Sequence, residues 1–226
     1  MTDAYKLLKN TCARACHDRH ACVNGYKQML AATNVSQMMA TWRDNWEDVV
    51  EGKFADIICT ELPRQYPLLK DEMNKAGIYL NECPENAQFF ILVLVTDCDK
   101  DISIRGKASA YILGEATVSA YGHAQVYSSR CDKARIFLHD YAYGNIKKGK
   151  VVACDRSRLE CSSVAMIDGC VECTMKGGEA YVVACKQLYA YNRTIVYSST
   201  SNRIHIDESS QLKPYQNEQQ TCNPCE

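Results

Sequence analysis

No apolar run in this 226-residue chain is long enough to cross a bilayer; the longest candidate, Phe89 to Val95, has only a strand's length. The N-terminus, Met1-Thr2-Asp3-Ala4-Tyr5-Lys6, lacks a basic segment followed by an apolar one, so no secretory signal is read there. An excess of either charge is missing too. Lys and Arg number 26 against 27 Asp and Glu, and a net charge of −1 gives no electrostatic argument for nucleic acid or an anionic membrane surface. The chain also has no nucleophile elbow, no glycine-rich phosphate loop and no His-Glu-x-x-His. These absences predict a cytoplasmic protein with no membrane among its partners and no catalytic residue to name.

What is present is apolar material and sulfur. Apolar residues make up 46% of the chain and charged residues 23%, the balance of a folded protein. Fourteen cysteines would suggest disulfides in a small secreted domain, but without an export signal they read as reduced thiols. Several stand where a small inward residue belongs: Cys161 follows Leu159 by two, and Cys173 precedes Met175 by two. Free cysteine packs as a small hydrophobe, so these are read as core filler.

The first 84 residues read as a helical domain. Val35, Met38, Met39, Trp42, Trp46, Val49 and Val50 follow the stripe of an amphipathic helix, with Asn34 as its cap and Gly52 as its stop. Asp3 to Ala32 reads as one long or broken helix. A further helix carries Phe54, Ile57, Ile58 and Leu62 before Pro63, and another runs from Pro67 to Ala76. From 85 to 208 the pattern changes to a repeat of eight. Ala108, Ala116 and Ala124 share one phase, Ala110, Val118 and Val126 the next alternate position, and Ile112, Ala120 and Ser128 the third. The phase returns at Ala180, Leu188, Val196 and Ile204, with Val182, Ala190, Ser198 and Ile206 two residues on.

Alternating inward residues followed by a short turn, often at glycine, specify stacked β-coils. The fold class is therefore α+β: an N-terminal helical bundle followed by a β-solenoid, or parallel β-helix. Two eight-residue arms per coil give a turn of about 16 residues and about six coils. Such a stack needs its open end covered, and the helical bundle is the expected cover. Val151, Leu159, Ile167, Met175 and Val183 keep the spacing of eight in the opposite parity to Ala180, so an odd insertion is placed near Lys176-Gly177-Gly178. Residues 209–226 are polar and are read as a loosely held tail.

Three chemical constellations remain. Cys12, Cys16 and His20 lie four apart and would share a helix face, but three ligands in line cannot make a zinc tetrahedron without a fourth from elsewhere, such as Cys59 or Cys83. Packing cysteines and a surface histidine are the favoured reading, and no cofactor is expected. Cys170/Cys173 and Cys222/Cys225 form two Cys-x-x-Cys pairs, the first inside the repeat, where a regular strand would point its cysteines to opposite faces. Finally, Tyr181, Tyr189 and Tyr197, then His205, follow inward residues by one, and Tyr111 and Tyr127 are sixteen apart. In a two-arm coil Tyr181 stacks over Tyr197 and Tyr111 over Tyr127. Tyrosine supplies contact area at small entropic cost, so these six residues are the candidate binding surface, against the alternative that they only stabilise the stack.

The runs Gly106-Lys107-Ala108-Ser109-Ala110-Tyr111, Gly114 to Tyr121 and Gly122 to Tyr127 resemble the alternating repeats of small β-helical proteins encoded by phages and other mobile elements of gut bacteria. The likeness covers the second half of the chain. It implies a non-enzymatic protein that binds a protein or nucleoprotein complex, and in its most concrete form an inhibitor of a bacterial defence complex such as a CRISPR nuclease. A metal-dependent or carbohydrate-active enzyme on a β-helix and a self-assembling structural solenoid are the alternatives, and homodimer formation is left open.

Overall fold

The protein was analysed as a computed structural model, which describes residues 3–18, 23–45, 49–50, 54–87, 91–198 and 203–214. Among the described residues five helices come first: α1 Asp3–Asp18, α2 Val23–Ala31, α3 Val35–Asp44, α4 Ala55–Thr60 and α5 Leu62–Lys75. Asn34 caps α3 by accepting from the Gln37 N–H at 2.9 Å, and Gln37 reaches back to the Thr33 N–H at 2.8 Å. The predicted stripe is inward, with Val35, Met38, Met39 and Trp42 all buried. The helix ends earlier than expected, at Asp44, and the predicted Gly52 stop lies outside the described residues. Pro63 does not end a helix but opens α5, where its missing N–H removes no intrahelical bond.

Fifteen strands follow: β1 Ile78–Leu80, β2 Leu92–Val95, β3 Ile102–Ile104, β4 Ser109–Ile112, β5 Thr117–Ala120, β6 Gln125–Ser128, β7 Arg135–Leu138, β8 Tyr143–Ile146, β9 Lys150–Cys154, β10 Arg158–Cys161, β11 Val164–Lys176, β12 Glu179–Tyr191, β13 Ile195–Ser198, β14 Ile204–Ile206 and β15 Gln211–Pro214. Every pairing is parallel and most join strands two apart in sequence, the signature of a two-arm coil. Sheet I stacks β1, β2, β4, β6, β8, β10, the second half of β11, the second half of β12, and β14. Sheet II stacks β3, β5, β7, β9, the first halves of β11 and β12, β13 and β15. Sheet II thus has eight rungs, roughly 34 Å from first to last at about 4.8 Å each.

Most of the predicted inward residues form one continuous core: Ala108, Ala110, Val118, Ala120, Ala124, Val126, Ala180, Val182, Leu188, Ala190 and Val196 are all fully buried, whereas Ser198 and Ile204 are partly buried, Ile206 in the last coil is exposed, and Val183 points outward because the parity has changed before it. The parity change falls where expected, since Met175 and Ala180 are both fully buried and Gly177-Gly178 make the turn between them. A second lies between Ile146 and Val151, at Gly149.

Two expectations are corrected. The helical bundle lies along the flank of the first coils: its core takes in Leu80, Leu92, Leu94, Tyr111 and Leu113 from the outer side of sheet I. The top of the stack is closed instead by the segment around Cys83 and Ala87, which packs on the solenoid core. Nor is the chain a loose tail from Ser209, because Gln211–Pro214 adds β15 to β13 with Leu212 in register with Val196. Residues 215–226 lie outside the described residues.

The coil corners are built from small residues, Ala108, Ala124, Ala142 and then Ser157, all fully buried. The Ser157 hydroxyl has no hydrogen-bond partner among the described residues, whereas its carbonyl accepts from the Val171 N–H at 3.0 Å and the Cys170 thiol at 3.1 Å. An unpaired buried hydroxyl costs stability that alanine would not. Ser157→Ala should therefore raise stability by about 1 kcal/mol, a melting shift of about +3 °C for a chain of this size. A fall on thermal unfolding would mean that the hydroxyl is satisfied.

Candidate functional site: the outer face of sheet II

Which outward columns are open follows from where the helices lie. On sheet I the middle outward column runs Leu80, Leu94, Tyr111, Tyr127, Asn145, Glu160, Thr174, Tyr189 and His205. Its first members are under the bundle, and Tyr111 is only 4% exposed. Tyr111 stacks on Tyr127 with ring centroids 4.8 Å apart, and Tyr127 meets Tyr143 edge-on at 6.3 Å. Burial, with Glu160 beside it, pushes the Tyr143 phenol up to about 12. Beyond this the column is polar at Asn145, Glu160 and Thr174 and ends in the rings of Tyr189 and His205.

Sheet II differs. Its middle outward column reads Ser103, Ser119, Phe137, Val152, Met166, Tyr181, Tyr197 and Lys213, one residue per rung. From Phe137 to Tyr197 that is five successive apolar or aromatic side chains, each half-buried, spanning about 19 Å. Val164 and Ile195 widen the stripe from the adjacent column, which also carries Arg135, Lys150 and Glu179 as a charged rim. Tyr181 and Tyr197 stack at 4.9 Å with 7° between planes, and the Tyr181 hydroxyl donates to Glu179 at 2.8 Å. Lys213 places its ammonium 5.7 Å from the Tyr197 ring.

The six tyrosine and histidine positions read from the sequence therefore fall into separate groups. Tyr181 and Tyr197 belong to sheet II, Tyr189 and His205 stack at 5.2 Å on sheet I, and Tyr111 and Tyr127 lie at the seam with the bundle. Eight residues carry the chain to the opposite sheet and sixteen return it. Two further outward ring pairs lie on coils of 18 residues: His123 stacks on Tyr141 at 5.4 Å and His139 on Tyr121 at 4.8 Å. Sequence reading missed both pairs because the coil there has 18 residues. Phe137, Val152 and Met166 were missed for the same reason, since the steps along that column are 15, 14, 15 and 16 residues.

Of the candidate metal ligands, Cys12 is buried in the bundle core, while the Cys16 side chain and His20 lie outside the described residues, as do Cys222 and Cys225. Among the described residues no group of three or more His, Cys, Asp or Glu is placed to hold a metal. Cys170 and Cys173 do not point to opposite faces; both are buried, because β11 shifts register between Asp168 and Cys170 as it rounds the corner. Cys170 is held up as a thiol by its contact with Cys185 and by burial, and Cys185 is lowered by the hydrogen bond from Cys170.

Clefts among the described residues lie at two places. One, about 390 Å³, lies at the seam and is lined by Arg43, Asp44, Ile91, Ser109, Tyr111 and Tyr127, with the Arg43 guanidinium donating to the Ala76 carbonyl at 3.3 Å. The other, about 410 Å³, is lined by Asp97, Asp99, Glu115, Lys133 and Arg135. There Lys133 pairs with Glu115 at 3.2 Å, and Asp97 accepts from the Glu115 N–H at 2.7 Å. Both sets of charges are engaged locally. No helix among the described residues is long and apolar enough to cross a membrane. No family model, curated protein or solved structure matches the chain.

Proposed function

We propose that this chain is a non-enzymatic binding protein that docks a partner protein on the outer face of sheet II. One observation carries the reading: the unbroken column Phe137, Val152, Met166, Tyr181 and Tyr197, every side chain partly exposed, while the outer face of sheet I is covered by helices at its start and interrupted by Asn145, Glu160 and Thr174 before its Tyr189–His205 pair. Partly exposed apolar surface of this continuity, with a charged rim, is typical of protein interaction sites. Lys150 at one end of the rim favours a partner that sets a carboxylate opposite it. The resemblance to mobile-element proteins makes a bacterial defence complex, such as a CRISPR nuclease, the first partner to try.

A photo-crosslinking residue at position 166 in the full chain, against one at position 145 on sheet I, identifies the partner in a bacterial lysate. Binding of that purified partner is then measured for the wild type, Met166→Glu and the pair Tyr181→Ser with Tyr197→Ser. Met166→Glu places an unpaired charge at the centre of the stripe and should weaken binding by roughly 30-fold or more with an unchanged melting temperature. The alternative, that the rings serve only the stack, makes the tyrosine pair lower the melting temperature while every variant binds alike. That result would remove the proposal.

A further inference from the structure

Among the described residues the last coil ends without a cover. Inward-phase residues one rung earlier, Ala190 and Val196, have no exposure, but their register partners Ile206 and Leu212 are 43% and 51% exposed. Among the described strands β14 pairs with β12 and β15 with β13 and neither has a second partner, which leaves an edge of backbone N–H and C=O groups on each. We propose that this end is a self-association surface whose occupant is a second copy of the chain, docked end to end about a twofold axis. The inference rests on the fold and is independent of the docking face on sheet II.

Two observations select that occupant. At the opposite end β1 and β3 also have one strand partner each among the described residues, but the apolar side chains there are covered: Ile102 and Ile104 are buried, and Cys83 and Ala87 pack on the core. A head-to-tail filament therefore lacks a matching open end, and two C-terminal ends meeting each other is the contact that closes. The chain's own continuation is poorly suited to the task by its sequence. Sixteen residues after Ile204 and Ile206 come Gln220 and Cys222, so an amide would take the place of the apolar Ile204 rung. A twofold sets the end strands antiparallel, brings the Ile206 and Leu212 side chains of both copies out of water and pairs the free edges. Pro214, which has no N–H, limits the pairing on the β15 side.

Two strand ends bury far less than the ~800 Å² per partner of a standard interface, so the dimer should be weak, with a dissociation constant on the order of tens of micromolar. Sedimentation velocity of the full chain from about 2 to 500 µM brackets that range. The expected result is growth from the 25.4 kDa monomer to a dimer and no further. Ile206→Asp with Leu212→Asp, both already solvent-exposed positions, should push the midpoint at least tenfold higher, whereas Met166→Glu on sheet II should leave it in place. A monomer across the whole range, growth past the dimer, or association indifferent to the double variant overturns the proposal. Loss of association with Met166→Glu would also overturn it, by moving the contact to sheet II.

Discussion

Gly178→Ala should cost roughly 3 to 5 kcal/mol and lower the melting temperature by about 10 °C or more. Gly178 has φ of +78°, and a Cβ there would lie 2.1 Å from the Ser163 carbonyl oxygen and 2.8 Å from its carbon. Both atoms belong to the backbone of the preceding rung, so no side chain can swing away to make room. The displaced turn is the one in which inward parity changes between Met175 and Ala180. A shift there is passed to every later coil, because a solenoid rung is positioned only by its neighbours. Gly177, next to it, supplies the control. Its φ is +109°, but a Cβ would meet only the Asn192 carbonyl oxygen at 3.5 Å, so Gly177→Ala carries the conformational strain without the collision and should cost about 1 to 2 kcal/mol. Thermal unfolding of the two variants side by side measures the difference. Equal, small shifts would mean that the rungs at this turn are not stacked as closely as the Ser163 contact requires.

The coil was legible because its signal is redundant. Each inward octad position from Ala108 to Val126 repeats the same small or branched side chain, and each is buried. The site was less legible because outward columns depend on the length of every turn between them. Tyr181 and Tyr197 are sixteen apart and were found; Phe137, Val152 and Met166 sit in the same column at spacings of 15 and 14 and were not. The parity changes at Gly149 and at Gly177-Gly178 shift the outward set as well as the inward one, and only the backbone pairing restores the alignment. The position of the bundle could have been read from one feature. In the run Leu92-Val93-Leu94-Val95 the alternate residues are apolar too, which requires cover on both sides of the strand. Val93 and Val95 face the solenoid core, Leu92 and Leu94 the helices.

The cysteines offer the second large effect. Cys161 and Cys173 lie inside the stack, in register with Met175 and Leu159 of the neighbouring strand respectively, and burial pushes the Cys161 thiol up to about 11, with the Ser163 N–H opposing. Cys173 is raised as well, by burial first and by the neighbouring Cys185 and Cys161. The ordinary value is 9.0, so at pH 8 Cys161 carries about one hundredth of the usual thiolate, and thiolate is the species that alkylates. Access multiplies the effect, because iodoacetamide reaches either sulfur only when the coil opens. Alkylation of Cys161 and Cys173 in the native chain should therefore be at least about a hundredfold slower than in the chain unfolded in urea, as followed by peptide mass spectrometry. The sign of the pH dependence follows from the same burial. A thiol raised in the folded state stabilises the fold fully below its unfolded value, and that contribution is lost as pH climbs from about 9 to about 11 through the folded one. Replacing Cys161 with alanine should flatten this alkaline loss while leaving a cavity cost at neutral pH. Native and unfolded rates that agree within a few-fold would place these sulfurs at the surface and remove the reading of cysteine as core filler.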